Sequence, residues 1–227
     1  MIFADTDFYD SEDGSHSLFS KKYGYTYHSK FGAVQESQHI FIDAALRFKA
    51  VVQEKISVLD IGFGTGLNAY LTYLEALKRN LSVQYTAVEA YPIAIENALQ
   101  LNYPQFLENN EQDTNIFQKL HTSEWNTLQK LHKQFYFEKK LLHIENIEAT
   151  NEFDIIYYDA FAPDVQPELW EEDTLQKMYN ALKKDGILTT YCAKGQVRRN
   201  LKAVGFTIEK IPGPRGKREI TRASKNE

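Results

Sequence analysis

Residues 56–79 constrain the fold more than any other stretch. An apolar run, Ile56-Ser57-Val58-Leu59-Asp60-Ile61, breaks into Gly62-Phe63-Gly64-Thr65-Gly66 and resumes as Leu67, Tyr70, Leu71, Leu74 and Leu77 at helical spacing. A near-continuous apolar run reads as a buried strand, and recurrence at i, i+3 and i+4 reads as an amphipathic helix. The glycines between them let the backbone turn tightly and pass close beneath a ligand. A strand, glycine turn and helix in that order predict a parallel α/β sheet, and the alternation continues downstream. Residues 83–88, 141–144, 153–158 and 187–192 read as four further strands, and residues 206–211 and 218–222 as two last ones. Between them Pro92 opens a helix to about residue 101, residues 167–182 form a helix ended by Lys184-Asp185-Gly186, and residues 196–204 form another. Residues 115–134 read as a polar helical excursion. Upstream, Ile40, Phe41, Ala44, Ala45 and Phe48 predict a helix leading into the core. The turn-prone Glu12-Asp13-Gly14-Ser15 before residues 16–19 and 25–28 predicts a small hairpin.

Sites in such sheets lie at the carboxyl ends of the strands. The glycines run G-x-G-x-G, with Leu67 where a dinucleotide fingerprint would need its third glycine, and no Lys-Ser/Thr pair makes a phosphate loop. The leading Asp60 with this spacing suits S-adenosylmethionine (SAM), which has no pyrophosphate to cradle. The candidate cofactor contacts are Asp60, Gly62, Phe63, Gly64, Thr65, Gly66 and Asn68. Glu89 ends the second strand, where a carboxylate can accept hydrogen bonds from both ribose hydroxyls, although NAD would place an acid similarly. A second chemical signal is Phe153-Asp154-Ile155-Ile156-Tyr157-Tyr158-Asp159-Ala160-Phe161-Ala162-Pro163. Asp159 at the fourth strand's tip would lie beside the methyl group of bound SAM. There it could bind an ammonium, take its proton and orient the amine for attack, with Phe161 and Pro163 walling the pocket. The bland reading of Asp159 is a cap on the following turn.

The chain carries 43% apolar and 25% charged residues, the make-up of a soluble globular protein, with no apolar stretch long enough for a membrane helix. Asp5, Asp7, Asp10 and Glu12 stand where a secretion signal would be basic, so a cytoplasmic protein is expected. Cys192 is the one cysteine and reads as core, and the six histidines show no pair at metal-ligand spacing, so no structural metal is expected. From Lys194 onward ten Lys and Arg face three Glu on a chain whose net charge is −5. That tail is either a polyanion-binding face or a solvated surface.

Taken together, these residues resemble the methyltransferase domain of the MnmC proteins, which modify the wobble uridine of certain tRNAs. The resemblance runs through most of the chain. It includes Tyr27-His28-Ser29, Gly32-Ala33, Glu36-Ser37-Gln38-His39-Ile40-Phe41, Gln166-Pro167-Glu168-Leu169-Trp170, Val197-Arg198-Arg199-Asn200-Leu201, Ala203-Val204-Gly205-Phe206 and Gly216-Lys217-Arg218-Glu219. It implies an α/β fold: a doubly wound, seven-stranded, Rossmann-like SAM-dependent methyltransferase sheet over residues 36–227, its last strand antiparallel, with residues 1–35 as a packed β-hairpin extension. It implies methyl transfer from SAM to the primary amine of 5-aminomethyluridine, often 2-thiolated, in the tRNA anticodon loop, without metal or flavin. The fused family members carry a second, flavin-dependent domain for which 227 residues leave no room. A stand-alone methyltransferase, supplied with aminomethyluridine by a separate enzyme, is therefore expected. Many members place Gly-Asp after the third strand to address adenine, whereas this chain has Glu145-Asn146-Ile147, making Asn146 the candidate.

The resemblance gives the basic tail a role, since a wobble base must be splayed from its stack while phosphates hold the RNA in register. Arg198, Arg199, Arg215, Lys217 and Arg218 are the phosphate- or base-contacting candidates, Lys217 and Arg218 nearest the site because Gly213-Pro214-Arg215-Gly216 forms a close turn, with ordinary surface as the alternative. Glu36 either lines the amine pocket or makes a structural hydrogen bond. Tyr25, Tyr27 and His28 either stack on a base or fill the hairpin core, and Trp170 reads as packing. Two rival functions share these features: an aminopropyl transferase of the spermidine-synthase type, and a methyltransferase-like RNA-binding module without catalysis. The basic tail disfavours the first, and the second has no need of Glu89 or Asp159.

Overall fold

The computed structural model describes residues 2–107 and 111–226. Strands β1 (Thr6–Asp10), β2 (His16–Ser20) and β3 (Tyr25–Thr26) form a separate antiparallel sheet. The turn at residues 12–15 joins β1 to β2, so the expected hairpin is a three-stranded sheet whose first strand the sequence reading missed. Helix α1 (Ala33–Ser37) runs on through Gln38–Arg47 in wider turns and buries Ile40, Phe41, Ala44 and Ala45. Next come β4 (Lys55–Ile61), α2 (Leu67–Arg79), β5 (Ser82–Glu89), α3 (Ile95–Ala98), α4 (Tyr103–Phe106), α5 (Glu111–Thr122), β6 (Gln129–His132), β7 (Phe135–Leu141) and β8 (Phe153–Tyr158). The chain ends with α6 (Glu172–Ala181), β9 (Leu182–Thr190), α7 (Gly195–Ala203), β10 (Thr207–Pro212) and β11 (Glu219–Ser224).

The main sheet has eight strands, ordered β10-β11-β9-β8-β4-β5-β7-β6. The five central strands β9, β8, β4, β5 and β7 are parallel, while β11 and β6 run antiparallel to their neighbours. The doubly wound α/β expectation holds, but the strand count is eight rather than seven. The extra strand is β6, which pairs with β7 as a hairpin inside the stretch expected to be helical. The third strand lies at Phe135–Leu141, not at residues 141–144, where Ile144–Asn146 makes a single short turn. The misreading has a physical source. Glu138-Lys139-Lys140 looks polar, yet Lys139 is buried on the same face as Phe135 and Phe137, its ammonium donating to the carbonyl of His121. Helix α6 ends at Ala181, and residues 183–186 bulge out of β9 instead of capping the helix. The helix expected from Pro92 to about residue 101 is only the short α3, which starts at Ile95, and α4 follows beyond it.

Helices cover both faces of the sheet. One apolar cluster joins Phe41, Tyr70, Tyr85, Phe117 and Phe135, and the other joins Leu59, Ile156, Trp170, Met178 and Leu201. The central strands are therefore apolar on both sides, which is why β4 and β8 read as continuous rather than alternating runs. Leu18 of the N-terminal sheet belongs to the first cluster, so that sheet shares the core.

Candidate active site at the strand tips

The glycine turn is the keystone of the carboxyl end of the sheet. The N–H groups of Gly62 and Phe63 donate to the carbonyl of Val88 at 2.9 and 3.3 Å, binding the turn to the end of β5. On the other side, the N–H of Asp159 donates to the carbonyl of Ile61 at 3.1 Å. A Cβ on Gly62 would stand 2.9 Å from the carbonyl oxygen of Asp159, so only glycine lets the β4 and β8 tips approach this closely. The loop after β8 is fixed from behind. Tyr191 Oη donates to the carbonyl of Ala160 at 2.8 Å, and Trp170 Nε1 to that of Phe161 at 2.8 Å, so Trp170 is packing, as expected.

A cavity of about 1110 Å³ opens above these tips. Gly62, Phe63, Gly64, Thr65, Asn68, Glu89, Asp159, Phe161, Glu36 and Lys217 all line it, so ten of the residues singled out in sequence converge on one space. Glu89 accepts the N–H of Tyr91 at 2.8 Å and that of Gly64 at 3.1 Å. Burial still raises its pKa above the ordinary value, against those two bonds. Asn68, in the first turn of α2, donates its Nδ2–H to Asp159 Oδ2 at 2.9 Å. The Asp159 pKa is pushed up to about 7 by burial, with the charge of Glu36 acting in the same direction and Asn68 and Lys217 opposing. Glu36 takes the N–H of Ser29 on Oε2 at 2.7 Å and pairs with Lys217 Nζ through Oε1 at 3.2 Å.

Other expectations are corrected. Asp60 does not reach the cavity: it is fully buried, accepts the hydroxyl of Tyr85 at 2.7 Å, and is held well above the usual carboxylate range by burial. Gly66 lies behind the turn, where a Cβ would meet His121 Nε2 at 2.7 Å. Asn146 is exposed beyond the rim, and its neighbour Glu145 lines the wall instead. Pro163 is also off the wall, its place taken by Ala162. Arg198 serves the fold. It pairs with Glu219 at 2.8 Å and donates to Thr221 Oγ1 and the carbonyl of Ile220, stitching α7 to β11. Lys217, one of the two candidates expected nearest the site, lines the cavity. Arg199, Arg215 and Arg218 remain exposed, Arg215 pairing with Glu12 at 3.1 Å.

The N-terminal sheet supplies a roof that sequence reasoning barely detected. The ring of Tyr27 lies over Gly64, where a Cβ would be 3.1 Å from it, and meets Phe161 edge-on at 5.3 Å. Tyr23 packs on Phe161 at 4.7 Å and accepts from Gln166 at 3.2 Å. Aromatic spacing in residues 23–27 was the available signal, but it fits hairpin core equally well. His28 lines the cavity too, yet burial lowers its pKa to about 4 and its Nδ1 is paired with Ser17 Oγ at 2.9 Å, so it is a neutral structural ring. Among the described residues no group of three or more His, Cys, Asp or Glu side chains is placed to hold a metal, and no helix is long and apolar enough to cross a membrane.

The cavity fits a SAM-sized molecule on chemical grounds. A backbone-anchored carboxylate suited to a diol, a side-chain-free glycine wall and an aromatic roof face one another across it. Comparisons with known proteins agree. The bifunctional protein MnmC of Leptospira borgpetersenii serovar Hardjo-bovis (strain JB197), named for tRNA 5-methylaminomethyl-2-thiouridine biosynthesis, is 30% identical over 212 residues, covering 88% of this chain and 32% of that protein. The protein of the same name from Actinobacillus pleuropneumoniae serotype 5b (strain L20) is 27% identical over 235 residues, 92% of this chain and 34% of that one. The chain thus spans about a third of the length of these curated relatives. Among solved structures, MNMC2 from Aquifex aeolicus superposes with a TM-score of 0.77 at 26% identity, over 97% of this chain and 70% of that one. Spermidine synthase from Thermotoga maritima, at 19% identity and a TM-score of 0.58 over 97% of this chain and 68% of that one, shares the fold. The profile of one methyltransferase family matches residues 97–226, more than half of the chain, and the protein accordingly belongs to the S-adenosyl-L-methionine-dependent methyltransferases.

Proposed function

We infer that the chain methylates the primary amine of 5-aminomethyluridine, with or without 2-thiolation, at the wobble position of tRNA, giving 5-methylaminomethyluridine. The observation that carries this reading is Asp159: an acid with a pKa near 7 at a strand tip, in the same cavity as Glu89 and the glycine turn. The names of the MnmC relatives and of MNMC2 support the acceptor. SAM bound here would supply an electrophilic methyl group on a sulfonium. Gly62, Phe63, Gly64, Thr65 and Asn68 would line its amino-acid end, and Glu89 would accept from its ribose. Asp159 would receive the substrate ammonium, take its proton and hold the nitrogen in line. The nitrogen lone pair would then attack the methyl carbon that the sulfonium supplies, the sulfur leaving as a neutral thioether, and the proton would pass from Asp159 to water. An alkyl amine is mostly protonated near neutrality, so an acceptor of pKa near 7 raises the reactive fraction without itself being protonated most of the time at pH 8.

In this reading residues 1–35 are an extension packed on the domain of residues 36–227, Phe161 and the tyrosine roof shape the base pocket, and a separate enzyme supplies the aminomethyl group. Exposed Arg199, Arg215 and Arg218 would meet the RNA backbone in the cytoplasm. The test is transfer of labelled methyl from SAM to tRNA bearing aminomethyluridine, read by nucleoside mass spectrometry. A parallel reaction offers decarboxylated SAM with putrescine. Methylaminomethyluridine in the first arm supports the reading, whereas aminopropyl transfer in the second overturns it.

A further inference from the structure

Lys217 is the one basic candidate that enters the cavity instead of facing solvent. Its backbone position is forced. The turn at residues 213–217 is closed by the N–H of Lys217 donating to the carbonyl of Pro214 at 2.9 Å and the N–H of Gly213 donating to that of Arg218 at 3.1 Å. A Cβ on Gly213 would lie 2.4 Å from the carbonyl oxygen of Lys217, and Gly216 sits at φ +88 with the ring of Phe31 against it, so the turn has no room to relax. From that turn the side chain reaches inward to Glu36 Oε1 at 3.2 Å, and its ammonium lies 5.1 Å from the centre of the Tyr191 ring. Glu36 is itself nearly buried and anchored by the Ser29 N–H on its other oxygen. An anchored carboxylate, an aromatic face and the Asp159 carboxyl, all on the wall of one cavity, make a seat for an alkylammonium ion.

We propose that Lys217 is a built-in stand-in for the substrate's ammonium, holding the seat beside Glu36 and Asp159 until a primary amine enters and displaces it. This rests on the reading of the acceptor as an amine. Lysine and an aminomethyl group end in the same –CH2–NH3+ unit, so an incoming ammonium restores what Glu36 loses when Lys217 leaves. A hydroxymethyl group in the same position restores no charge and leaves a nearly buried carboxylate unpaired. The seat therefore selects cationic acceptors over neutral isosteres, and occupancy by Lys217 keeps Glu36 paired in the free protein.

Calorimetry of the full chain with 5-(aminomethyl)uridine and with 5-(hydroxymethyl)uridine tests this, using wild type, Lys217→Met and Lys217→Gln. SAM affinity serves as the check that each variant is folded. Removing the competing ammonium should tighten binding of the amine nucleoside about tenfold, or about 1.4 kcal/mol, while the hydroxymethyl nucleoside changes less than twofold. Amine binding that is unchanged, weaker or undetectable in both variants overturns the proposal. Methylation of aminomethyl tRNA by wild type, measured alongside, separates the two readings. If wild type methylates tRNA but the variants gain no affinity, the seat is wrong and the function stands. If the variants gain affinity but no tRNA is methylated, the seat stands and the acceptor reading fails.

Discussion

Replacing Asp159 with Asn separates chemistry from architecture, because the amide keeps an oxygen that can still accept the Asn68 Nδ2–H now held at 2.9 Å. What is lost is the capacity to take a proton. The structure sets two magnitudes. First, a positioned proton acceptor contributes about 10²–10⁴ in rate, or roughly 3–5 kcal/mol of barrier, so turnover should fall by at least about 10² while SAM affinity stays within about twofold. Wild-type turnover should climb as the pH rises to about 7, where Asp159 ionises, and then level off; the variant should lack that limb. Second, the ordinary pKa of 3.8 is raised to about 7 in the fold, so the protonated carboxyl is the form the folded state favours. Its contribution is full below about pH 4 and is lost as pH rises through 7. The ceiling is about 4 kcal/mol, reduced to about 1–2 kcal/mol because the side chain is partly exposed to solvent. An amide cannot ionise, so Asp159→Asn should melt roughly 3–6 °C above wild type at pH 8 and level with it at pH 4. Single-turnover transfer from labelled SAM across pH 5–9, paired with thermal melts at both pH values, measures both effects. Turnover within threefold of wild type, with the acid limb intact, would remove Asp159 from the chemistry. A variant less stable than wild type at pH 8 would refute the burial cost assigned to its charge.

Glu89→Gln should weaken SAM binding about 10–100-fold, the value of a charged acceptor serving two hydroxyls, and calorimetry showing unchanged affinity would move the ribose elsewhere. Arg198→Ala should lower the denaturant midpoint of unfolding, because it removes the ion pair to Glu219 and the donors to Thr221 Oγ1 and the carbonyl of Ile220, and should leave the salt dependence of tRNA binding as it was. Arg215→Ala with Arg218→Ala should do the reverse, flattening the plot of log affinity against log salt by roughly 0.7–0.9 per lost phosphate contact with little change in stability. Gly66→Ala puts a Cβ 2.7 Å from His121 Nε2 at a backbone φ of +72, so the melting temperature should fall by several degrees; an unchanged melt would mean that His121 moves aside freely.

How much of this was legible in the sequence depended on whether a residue's role was set locally. The glycine turn, the strands before it and at residues 153–158, and the helices after it are local patterns and were readable. The β6–β7 hairpin was not, because a lysine buried against a carbonyl reads as polar in any alternation count. The same limit applied to the basic tail. Charge clustering marks Arg198, Lys217 and Arg218 alike, yet one braces a strand, one points into the cavity and one meets solvent. Those fates depend on Glu219 and Glu36, the second of which is far away in sequence. The roof of Tyr23 and Tyr27 was legible only as aromatic spacing, since nothing local says which face of a short strand covers a distant glycine.

The three acids at the strand tips show where such reading can be sharpened. Asp60 pairs with Ala87 on one side and Tyr157 on the other, one residue before the ladder ends, so it still belongs to the pleated sheet. Its side chain must point into a layer of helices, where it accepts the Tyr85 hydroxyl while burial holds its pKa well above the usual carboxylate range. Glu89 is the last residue of its strand, and Asp159 is one past the final pair of Ile61 with Tyr158. Beyond the last pair the next backbone donors are those of the loops, which is why Glu89 is gripped by the N–H groups of Gly64 and Tyr91 while the Asp159 carboxyl takes the Asn68 side-chain amide. In the proposed mechanism the acid inside the ladder is structural, the acid at its last rung is the anchored ribose acceptor, and the acid one step beyond meets the substrate amine. Counting from the end of the ladder, rather than from the glycines, therefore sorts the three roles, and it places Asp60 beneath the site instead of in it.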